Sequence, residues 1–188
     1  MLIIVSGCDK VGKTTVLNRI NKHTGIQVGK FRGPKKRIDT KDEVREWADE
    51  CLVFHRSILR YLELLNTDRN IILLDRFYPD EVVYSQTLRN LHLWSEYKDL
   101  DERFAKIGTK YIYIAPPNDF EMYRKRFEIE EDMTKWDEVQ SLLDCFRVFY
   151  EWTGMDKITI TQDTPIRDIV NFICSRKVKS NEKVNRVK

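Results

Sequence analysis

The sequence predicts an α/β fold built as a three-layer sandwich, in which helices cover both faces of a parallel five-stranded sheet. Two observations support this prediction. Short apolar runs alternate along the chain with longer segments whose apolar residues recur at helical spacing. Each of those segments is long enough to cross over between neighbouring parallel strands, and such crossovers cover both faces of a sheet. Ligands of such sheets bind at the carboxyl ends of the strands, so we expect the functional site there.

The first predicted strand leads directly into a phosphate-binding motif. The apolar run at residues 2–5 is followed by Gly7-x-x-x-x-Gly12-Lys13-Thr14, which is the complete P-loop pattern. Its glycines let the backbone approach a polyphosphate closely, and its N–H groups, with the dipole of the next helix, favour bound anions. In such a loop the lysine reaches the β- and γ-phosphates, and the threonine hydroxyl ligates magnesium. The motif therefore predicts a P-loop NTPase fold and an ATP site with these members: Gly7, Cys8, Asp9, Lys10, Val11, Gly12, Lys13, Thr14 and Thr15.

Two helices and a basic loop follow the motif. The spacing of apolar residues predicts a helix over residues 13–22. Glycine and proline interrupt residues 28–37, which predicts a loop, and this loop carries a basic cluster at residues 35–37. A capping-box pattern at residues 40–43 predicts the start of a long amphipathic helix that reaches about residue 65.

The middle of the chain contains one clear strand and one less clear segment. Residues 70–75 are nearly all apolar until the final aspartate, which is typical of a buried parallel strand. Pro79 suits the first turn of a helix that we expect to extend to about residue 88. Residues 91–107 show a weaker pattern, which predicts a loop with a short helix.

The remaining elements complete the alternation of strands and helices. Two strands and three helices are predicted, the strands at 110–115 and 157–161 and the helices at 118–127, 136–152 and 166–174. Asn118 is the expected cap of the first of these helices. Thr164 and Pro165 are the expected cap and first helical residue of the last one.

Length and composition describe one ordinary domain with a basic end. The chain has 188 residues, of which 41% are hydrophobic and 34% are charged. This is enough for one domain with a sizeable core, which we expect over residues 1–175. Residues 176–188 contain six lysine or arginine residues and one glutamate, whereas the whole chain has a net charge of only +3. We expect this tail to be disordered, either as a solubilising end or as a contact for the phosphate backbone of DNA.

The sequence shows no sign of a membrane or secreted protein. No run approaches the roughly 18 apolar residues of a membrane span, and no basic and apolar leader precedes the first strand. The four cysteines, Cys8, Cys51, Cys145 and Cys174, have neither metal-binding spacing nor the pattern of a disulfide framework. We therefore expect a reducing, cytoplasmic location, which is the host cytoplasm if the chain is phage-encoded.

Three predicted strands end in residues that suit a phosphate site. Gly7, Asp75 and Pro116 all fall at carboxyl ends, and these ends meet at one edge of a parallel sheet. Asp75 is a candidate to hold magnesium through water, and Arg76 is a candidate to neutralise the transferring phosphate. A surface ion pair at a strand end is the structural alternative.

Other charged residues extend the candidate site. Asp9 and Lys10 lie inside the P-loop and face whatever binds opposite the nucleotide. Arg32, in the basic loop, is a candidate clamp for an acceptor phosphate. Arg124 and Arg126 precede an acidic segment and are candidates to reach the donor or the transferring phosphoryl group. For each of these residues the alternative is a solvated surface side chain.

These motifs resemble the thymidylate kinase family over roughly residues 1–175. The P-loop has that family's acid at Asp9, and the pair Asp9-Lys10 is similar to the subgroup with a basic residue in the loop and no catalytic arginine in the lid. The expected lid, at about residues 127–135, contains no arginine, in agreement with that subgroup. Asp75-Arg76-Phe77 resembles the family's Asp-Arg-Tyr element, and Tyr84 falls where an aromatic residue follows it.

The resemblance also implies an acceptor site and a set of roles. Phe54-His55-Arg56 resembles the segment whose arginine reads the pyrimidine, and Arg32 resembles the arginine that binds the acceptor phosphate. The resemblance implies four acceptor-binding residues: Arg32, Arg56, Phe77 and Tyr84. It implies four catalytic residues: Asp9, Lys10, Lys13 and Arg76. From the resemblance together with the motifs above, we expect ATP as donor, with Arg124 as a further contact, Mg2+ held by Thr14 and Asp75, and a homodimer as the assembly.

The sequence departs from the family pattern on the acceptor side. Ser6 stands where many members have glutamate, and Leu52 falls near the position of a base-stacking phenylalanine. Asp80 and Glu81 replace small residues after the Asp-Arg-Phe element. The donor side is thus better supported than the identity of the acceptor. A phage-encoded relative, the 5-hydroxymethyluracil DNA kinase, resembles this family too and phosphorylates a hydroxymethyl group on DNA.

Three hypotheses follow, in order of preference. The first is an ATP- and magnesium-dependent kinase of a deoxypyrimidine nucleoside monophosphate, either dTMP or a 5-modified dUMP. The second is the DNA kinase, whose alcohol acceptor would need a carboxylate such as Asp9 or Asp75 to take a proton. The third is a P-loop module that binds nucleotides without catalysis.

Overall fold

A computed structural model describes residues 1–29, 41–65, 71–129 and 136–175, and it confirms the predicted α/β architecture. Five parallel strands form one sheet in the order β2-β3-β1-β4-β5. The strands are β1 (Leu2–Ser6), β2 (Val28–Gly29), β3 (Ile72–Asp75), β4 (Lys110–Ile114) and β5 (Asp156–Ile160).

Seven helices in the described residues cover this sheet as the outer layers of a three-layer fold. They are α1 (Lys13–Thr24), α2 (Lys41–Leu65), α3 (Tyr78–Arg89), α4 (Trp94–Lys106), α5 (Phe120–Ile129), α6 (Trp136–Trp152) and α7 (Ile166–Cys174). Helix α1 packs against α7, whereas α2, α3, α4 and α6 pack against one another. None of the described helices combines the length and the apolar character that crossing a membrane requires.

Strand register brings the ends of the central strands together. Val5 of β1 lies beside Asp75 of β3, and Ser6 lies beside Tyr113 of β4. Strands β1 and β4 are buried along their whole length, as expected for central strands covered on both faces. The segments that follow β1, β3 and β4 therefore start at one edge of the sheet, as the sequence predicted.

The core on the α3 side of the sheet is dominated by aromatic rings. Tyr78 stacks between Tyr97 and Phe104, with ring centroids 5.8 and 5.3 Å apart, and Tyr111 of β4 meets Phe149 of α6 edge-on. Such large buried rings supply much of the apolar burial that stabilises a domain of this size. The four cysteines are unpaired, as expected.

Two segments differ from their predicted structure. Residues 94–106 form a full helix rather than a loop with a short helix, because Tyr97, Leu100 and Phe104 recur at helical spacing and are completely buried. Residues 28 and 29, which the glycine- and proline-containing pattern assigned to a loop, form the short edge strand β2 beside β3.

Two helix caps also lie one residue away from their predicted positions. Asp119, not Asn118, caps α5, since its Oδ1 accepts a hydrogen bond from the backbone N–H of Met122 at 2.8 Å. Pro165 is the N-cap residue of α7 rather than its first helical residue. The Thr164 hydroxyl instead accepts a hydrogen bond from the Thr161 N–H at 2.9 Å.

Several predicted features lie outside the described residues. Arg32, the basic cluster at residues 35–37, most of the expected lid and the tail at 176–188 belong to this group. Their roles remain predictions, as does the boundary of the folded domain at residue 175.

Candidate active site

The P-loop runs from the end of β1 to the start of α1, and packing requires glycine at both of its ends. Gly7 has φ 153°, and a Cβ there would lie 2.5 Å from the Ile114 carbonyl oxygen. Gly12 has φ 95°, and its Cβ would lie 2.8 Å from Cβ of Gln162. Both contacts are closer than real Cβ atoms come, and both φ values disfavour L side chains. The two glycines thus let the loop approach the ends of β4 and β5.

The loop after β5 is fastened to α1 beside the P-loop. The Arg19 guanidinium donates hydrogen bonds to the carbonyl oxygens of Gln162, at 2.5 Å, and Thr164, at 3.0 Å. These bonds hold Gln162 next to Gly12, so this loop forms one wall of the space above the phosphate motif.

Lys13, the lysine of the motif, is folded back onto the loop. Its Nζ donates to the carbonyl oxygens of Gly7, at 2.8 Å, and Cys8, at 2.5 Å, and lies 3.9 Å from Oδ1 of Asp9. Its side chain is only 7% exposed. Burial, followed by the nearby Arg76 charge, lowers the pKa of Lys13. A desolvated ammonium held by neutral carbonyls is well placed to exchange them for an anion.

Asp9 is the acid around which the polar groups of the site gather. Its Oδ1 pairs with the Arg76 guanidinium, and its Oδ2 accepts a hydrogen bond from the Tyr84 hydroxyl at 3.2 Å. Its backbone carbonyl accepts a further hydrogen bond from the Tyr123 hydroxyl at 2.8 Å. Asp9 thereby links the P-loop to α3 and to α5.

Arg76 sits in a strained turn directly after β3. Its φ is 64°, a left-handed conformation that residues other than glycine rarely adopt. Its N–H donates to the Val5 carbonyl at 3.0 Å, and its guanidinium lies 5.7 Å from the centre of the Tyr84 ring. Burial lowers the pKa of Arg76, but nearby Asp80, Tyr84 and Asp9 outweigh burial and hold it above the ordinary value. A strained residue that other contacts hold in place is a common feature of active sites.

Lys10 and Arg126 connect the P-loop to α5 by a reciprocal pair of hydrogen bonds. Lys10 Nζ donates to the Arg126 carbonyl at 2.9 Å, and the Arg126 guanidinium donates to the Lys10 carbonyl at 3.0 Å. The Lys10 ammonium also lies 4.7 Å from the centre of the Phe127 ring. Of the two arginines that the sequence suggested before the acidic segment, Arg126 therefore contacts the P-loop.

These residues enclose a cleft of about 360 Å³ above the N-terminus of α1. Its lining consists of Asp9, Lys10, Gly12, Lys13, Thr14, Thr15, Arg76, Arg126 and Gln162. Four of these side chains are cationic and one is anionic, and the cleft lies at the positive end of a helix dipole. This combination favours a polyanion such as a nucleotide phosphate chain.

Several other predicted site residues do not line this cleft. Cys8 and Val11 are fully buried beneath the loop, and Phe77 is buried against His55, with ring centroids 4.7 Å apart. Arg56 and Arg124 are exposed and do not line this cleft. The structure thus brings most of the predicted donor-side residues together around the cleft.

Sequence reasoning missed Arg19 and Gln162. Gln162 follows β5, so its place after a strand end was a usable signal. Arg19 acts through backbone carbonyls, for which the sequence offers no pattern.

The residues proposed for magnesium fit a hard cation. Thr14 exposes its side chain in the first turn of α1, and Asp75 is half-buried at the neighbouring strand end. Hydroxyl and carboxylate oxygens suit Mg2+, which normally keeps several waters and binds substrate phosphates rather than a closed protein cage. The described residues contain no cluster of three or more His, Cys, Asp or Glu suited to a metal.

Comparisons by sequence find no relative: no protein-family model matches the chain, and no curated protein matches it significantly. Comparison with solved structures finds the same fold at low sequence identity. YorR from Bacillus subtilis, in complex with phosphorylated GDP, is 18% identical with a TM-score of 0.59, over 92% of this chain and 95% of that one. Deoxyadenosine kinase from M. mycoides with bound dATP is 16% identical with a TM-score of 0.59, over 93% and 100%.

The same kinase with the products dCMP and a flexible dCDP is 14% identical, with a TM-score of 0.54, over 92% of this chain and 96% of that one. Similarity at these identities shows that the fold is shared. The nucleotides bound in those structures belong to those proteins.

Proposed function

We propose that this chain is an ATP- and Mg2+-dependent kinase that transfers the γ-phosphate to a deoxypyrimidine nucleoside monophosphate, either dTMP or a 5-modified dUMP. The observation that carries the proposal is the cleft in which Lys10, Lys13, Arg76 and Arg126 surround a single acid above the start of α1. Phosphoryl transfer consists mostly of positioning and charge stabilisation, and this cleft is built for both.

On the donor side, residues 7–15 bind the phosphates of ATP. The Lys13 ammonium exchanges the carbonyls of Gly7 and Cys8 for phosphate oxygens. Arg126 and Gln162 extend the lining along the donor, and the exposed Arg124 is a further contact in this proposal. Thr14 and Asp75 hold Mg2+, which would neutralise charge on the phosphates when bound.

On the acceptor side, the occupation of Asp9 favours an acceptor that is already an anion. One carboxylate oxygen pairs with Arg76, and the other accepts the Tyr84 hydroxyl, so Asp9 is engaged rather than poised as a base. A monophosphate needs no general base, whereas an alcohol does. In this proposal Arg32 and Arg76 hold the acceptor phosphate, Arg56 reads the base, and Phe77 and Tyr84 shape the pocket.

Two alcohol acceptors form the alternative. The first is a deoxynucleoside, because one structural neighbour is a deoxyadenosine kinase. The second is the hydroxymethyl group of 5-hydroxymethyluracil in DNA, which the basic residues at 35–37 and 176–188 support. Each requires Asp9 or Asp75 to accept a proton, and Asp9 would have to leave its present partners first.

The deciding experiment is a transfer assay with γ-labelled ATP and Mg2+. The acceptors are a panel of deoxynucleoside monophosphates, the matching deoxynucleosides, and duplex DNA containing thymine or 5-hydroxymethyluracil, with Lys13→Ala as the blank. We expect label on a pyrimidine monophosphate. Label only on a deoxynucleoside or on DNA would replace the proposed acceptor, and no transfer to any of them would overturn the kinase function.

A salt titration of DNA binding separates the polymer acceptor from the free nucleotide. Binding through the basic tail should weaken steeply with salt, with a log–log slope of about −0.9 for each duplex phosphate neutralised. We expect the full chain and a chain ending at residue 175 to bind duplex DNA equally weakly and to transfer phosphate equally well. Salt-sensitive binding that disappears on deletion of the tail would support the DNA acceptor.

A further inference from the structure

Asp80, in the first turn of α3, is a buried carboxylate at the edge of the candidate site. The residue is 6% exposed and lies four positions after Arg76. Its Oδ2 accepts a hydrogen bond from the Ser6 hydroxyl at 2.5 Å and another from the Phe77 N–H at 3.3 Å. Ser6 and Asp80 are both positions at which the sequence departs from the family it resembles, and here they contact each other.

The two hydrogen bonds connect the segments that carry the two main cations. Ser6 is the last residue of β1 and immediately precedes the P-loop. Phe77 immediately follows Arg76 in its left-handed turn. One carboxylate oxygen therefore joins the strand that leads to Lys13 with the turn that holds Arg76.

The other oxygen, Oδ1, is buried without a hydrogen-bond partner in the described part of the chain. Leaving a buried carboxylate oxygen unpaired is costly, so a helix cap alone is a poor explanation for an acid here. The cap uses only Oδ2, which accepts from the N–H of the N-cap residue Phe77, and a neutral glutamine at this third helical position can do the same without a buried charge. The acid thus requires a second explanation.

Electrostatics supply that explanation. Burial raises the pKa of Asp80, and Arg76 and then Lys13 are the main groups that lower it. Burial lowers the pKa of Lys13, and the charges of Asp80 and then Asp9 oppose this effect. Burial also lowers the pKa of Arg76, and Asp80 has the largest of the opposing influences. Asp80 is thus a second carboxylate that acts electrostatically on both cations, in addition to Asp9, which forms an ion pair with each of them.

Asp9 and Asp80 differ in how accessible they are to a ligand in the cleft. The Asp9 side chain is 32% exposed and lines the cleft, so phosphates entering the cleft compete directly for its partners. Asp80 is enclosed and does not line the cleft. Phosphates that enter the cleft therefore do not compete for its hydrogen bonds to Ser6 and Phe77.

We propose that Asp80 is a positioning residue for phosphoryl transfer: through Ser6 and Phe77 it fixes the P-loop lysine and Arg76 relative to each other, from an enclosed position outside the cleft. This inference rests on the proposed function for its kinetic consequences. A small misplacement of groups that stabilise the transferring phosphoryl lowers turnover by up to about 100-fold.

The test compares Asp80→Asn with the control Asp99→Asn, which changes an acid whose side chain is 71% exposed on α4. We expect Asp80→Asn to lower kcat by about 10- to 100-fold while the KM for ATP stays within about threefold or decreases, because one negative charge beside the anion site is removed. Asp99→Asn should match the wild type. Equal kcat in all three proteins would overturn the inference, as would a loss explained by unfolding while the folded fraction is fully active.

Calorimetry keeps the inference testable apart from the kinase function. The affinity for ATP is measured in the wild type, Lys13→Ala, Asp80→Asn and the double variant. We expect the change in the Kd for ATP of the double variant to differ by at least about threefold from the product of the two single changes, because Asp80 positions Lys13. If the effects of the two substitutions on the affinity for ATP simply multiply, the inference is overturned, whether or not the wild type transfers phosphate. A wild type that transfers no phosphate would refute the kinase function alone.

Should Asp80→Asn fail to fold, Ser6→Ala decides the matter, because it removes the bridge to β1 and keeps the carboxylate. A kcat at least about fivefold below that of the wild type supports the inference, and an unchanged kcat overturns it.

Discussion

Two buried carboxylates on neighbouring helices, Asp80 on α3 and Asp101 on α4, have opposite surroundings. Asp101 is 3% exposed, and both of its carboxylate oxygens accept hydrogen bonds. It accepts from the Tyr78 hydroxyl at 2.6 Å, the Thr153 hydroxyl at 2.7 Å and the Gly154 N–H at 2.8 Å. Asp80 has two donors on one oxygen and none on the other, and its charge is coupled to Lys13 and Arg76.

The difference indicates what each acid is for. A fully hydrogen-bonded acid such as Asp101 ties α3, α4 and the turn before β5 together, and its surroundings account for it without any ligand. An incompletely hydrogen-bonded acid next to two cations is better explained by the chemistry of the site than by stability. Burial alone does not separate structural from functional acids, but the pairing of each oxygen does.

The largest expected effect is on the functional side, at Lys13. Lys13→Ala should lower phosphate transfer by about 1000-fold or more, since charge aimed at the transferring phosphate contributes roughly 3–4 kcal/mol. Its melting temperature should stay near or above that of the wild type, because a desolvated ammonium is removed. The control is Lys22→Ala, at an exposed position of the same helix. Turnover close to that of the wild type in a folded Lys13→Ala protein would remove the P-loop from the mechanism.

Arg76 should have the next largest effect. Arg76→Ala is expected to lower turnover by at least about 100-fold with little change in stability, because a preorganised charge is lost. Arg76→Gly should lower turnover equally and melt at a higher temperature than Arg76→Ala, since glycine accepts the φ of 64°. Thermal melting and initial rates measure both. An Arg76→Ala protein that melts far below the wild type, with a fully active folded fraction, would make this residue structural like Asp101.

Asp101→Asn tests the structural side of the comparison. The amide nitrogen would face a hydroxyl or N–H donor, so we expect a loss of about 2–4 kcal/mol in the free energy of unfolding. Activity per folded molecule should remain unchanged. Urea unfolding with parallel rate measurements checks this, and Asp99→Asn on the same helix is the control. A loss of kcat at undiminished stability would abolish the distinction between the two acids.

His55 packs in the same aromatic core, and its effect on stability should be confined to pH values below about 6.5. It is buried, its Nδ1 lies 2.9 Å from the Tyr97 hydroxyl, and burial lowers its pKa to about 3. Between its unfolded pKa of about 6.5 and pH 3, the unfolded chain binds a proton that the folded chain does not. This contribution to stability is complete above pH 6.5 and is lost as the pH falls towards 3, by about 1.4 kcal/mol per pH unit.

His55→Phe should remove this part of the pH dependence. Urea unfolding of the wild type, His55→Phe and the exposed-histidine control His92→Gln at pH 7, 6, 5 and 4 measures the slopes. A slope in His55→Phe equal to that of the wild type would show that His55 is not the buried neutral histidine described above.

The sequence by itself determined the P-loop motif and most of the order of the elements. The P-loop, the strand ending in Asp75-Arg76 and the alternation of strands and helices are local patterns, and strand register then aligned Val5 with Asp75 at one edge. Such features follow from spacing, because a parallel sheet places its strand ends together whatever the rest of the chain does.

Only the tertiary structure decided which distant side chains meet. Ser6 and Asp80 are 74 residues apart, and Lys10 and Arg126 are 116 residues apart. Helix α4 was underestimated although Tyr97, Leu100 and Phe104 recur at helical spacing, and only the structure shows that all three are completely buried. Local periodicity fixes which face of an element is buried, whereas the partner of a buried polar atom depends on how two elements pack, and no local pattern contains that information.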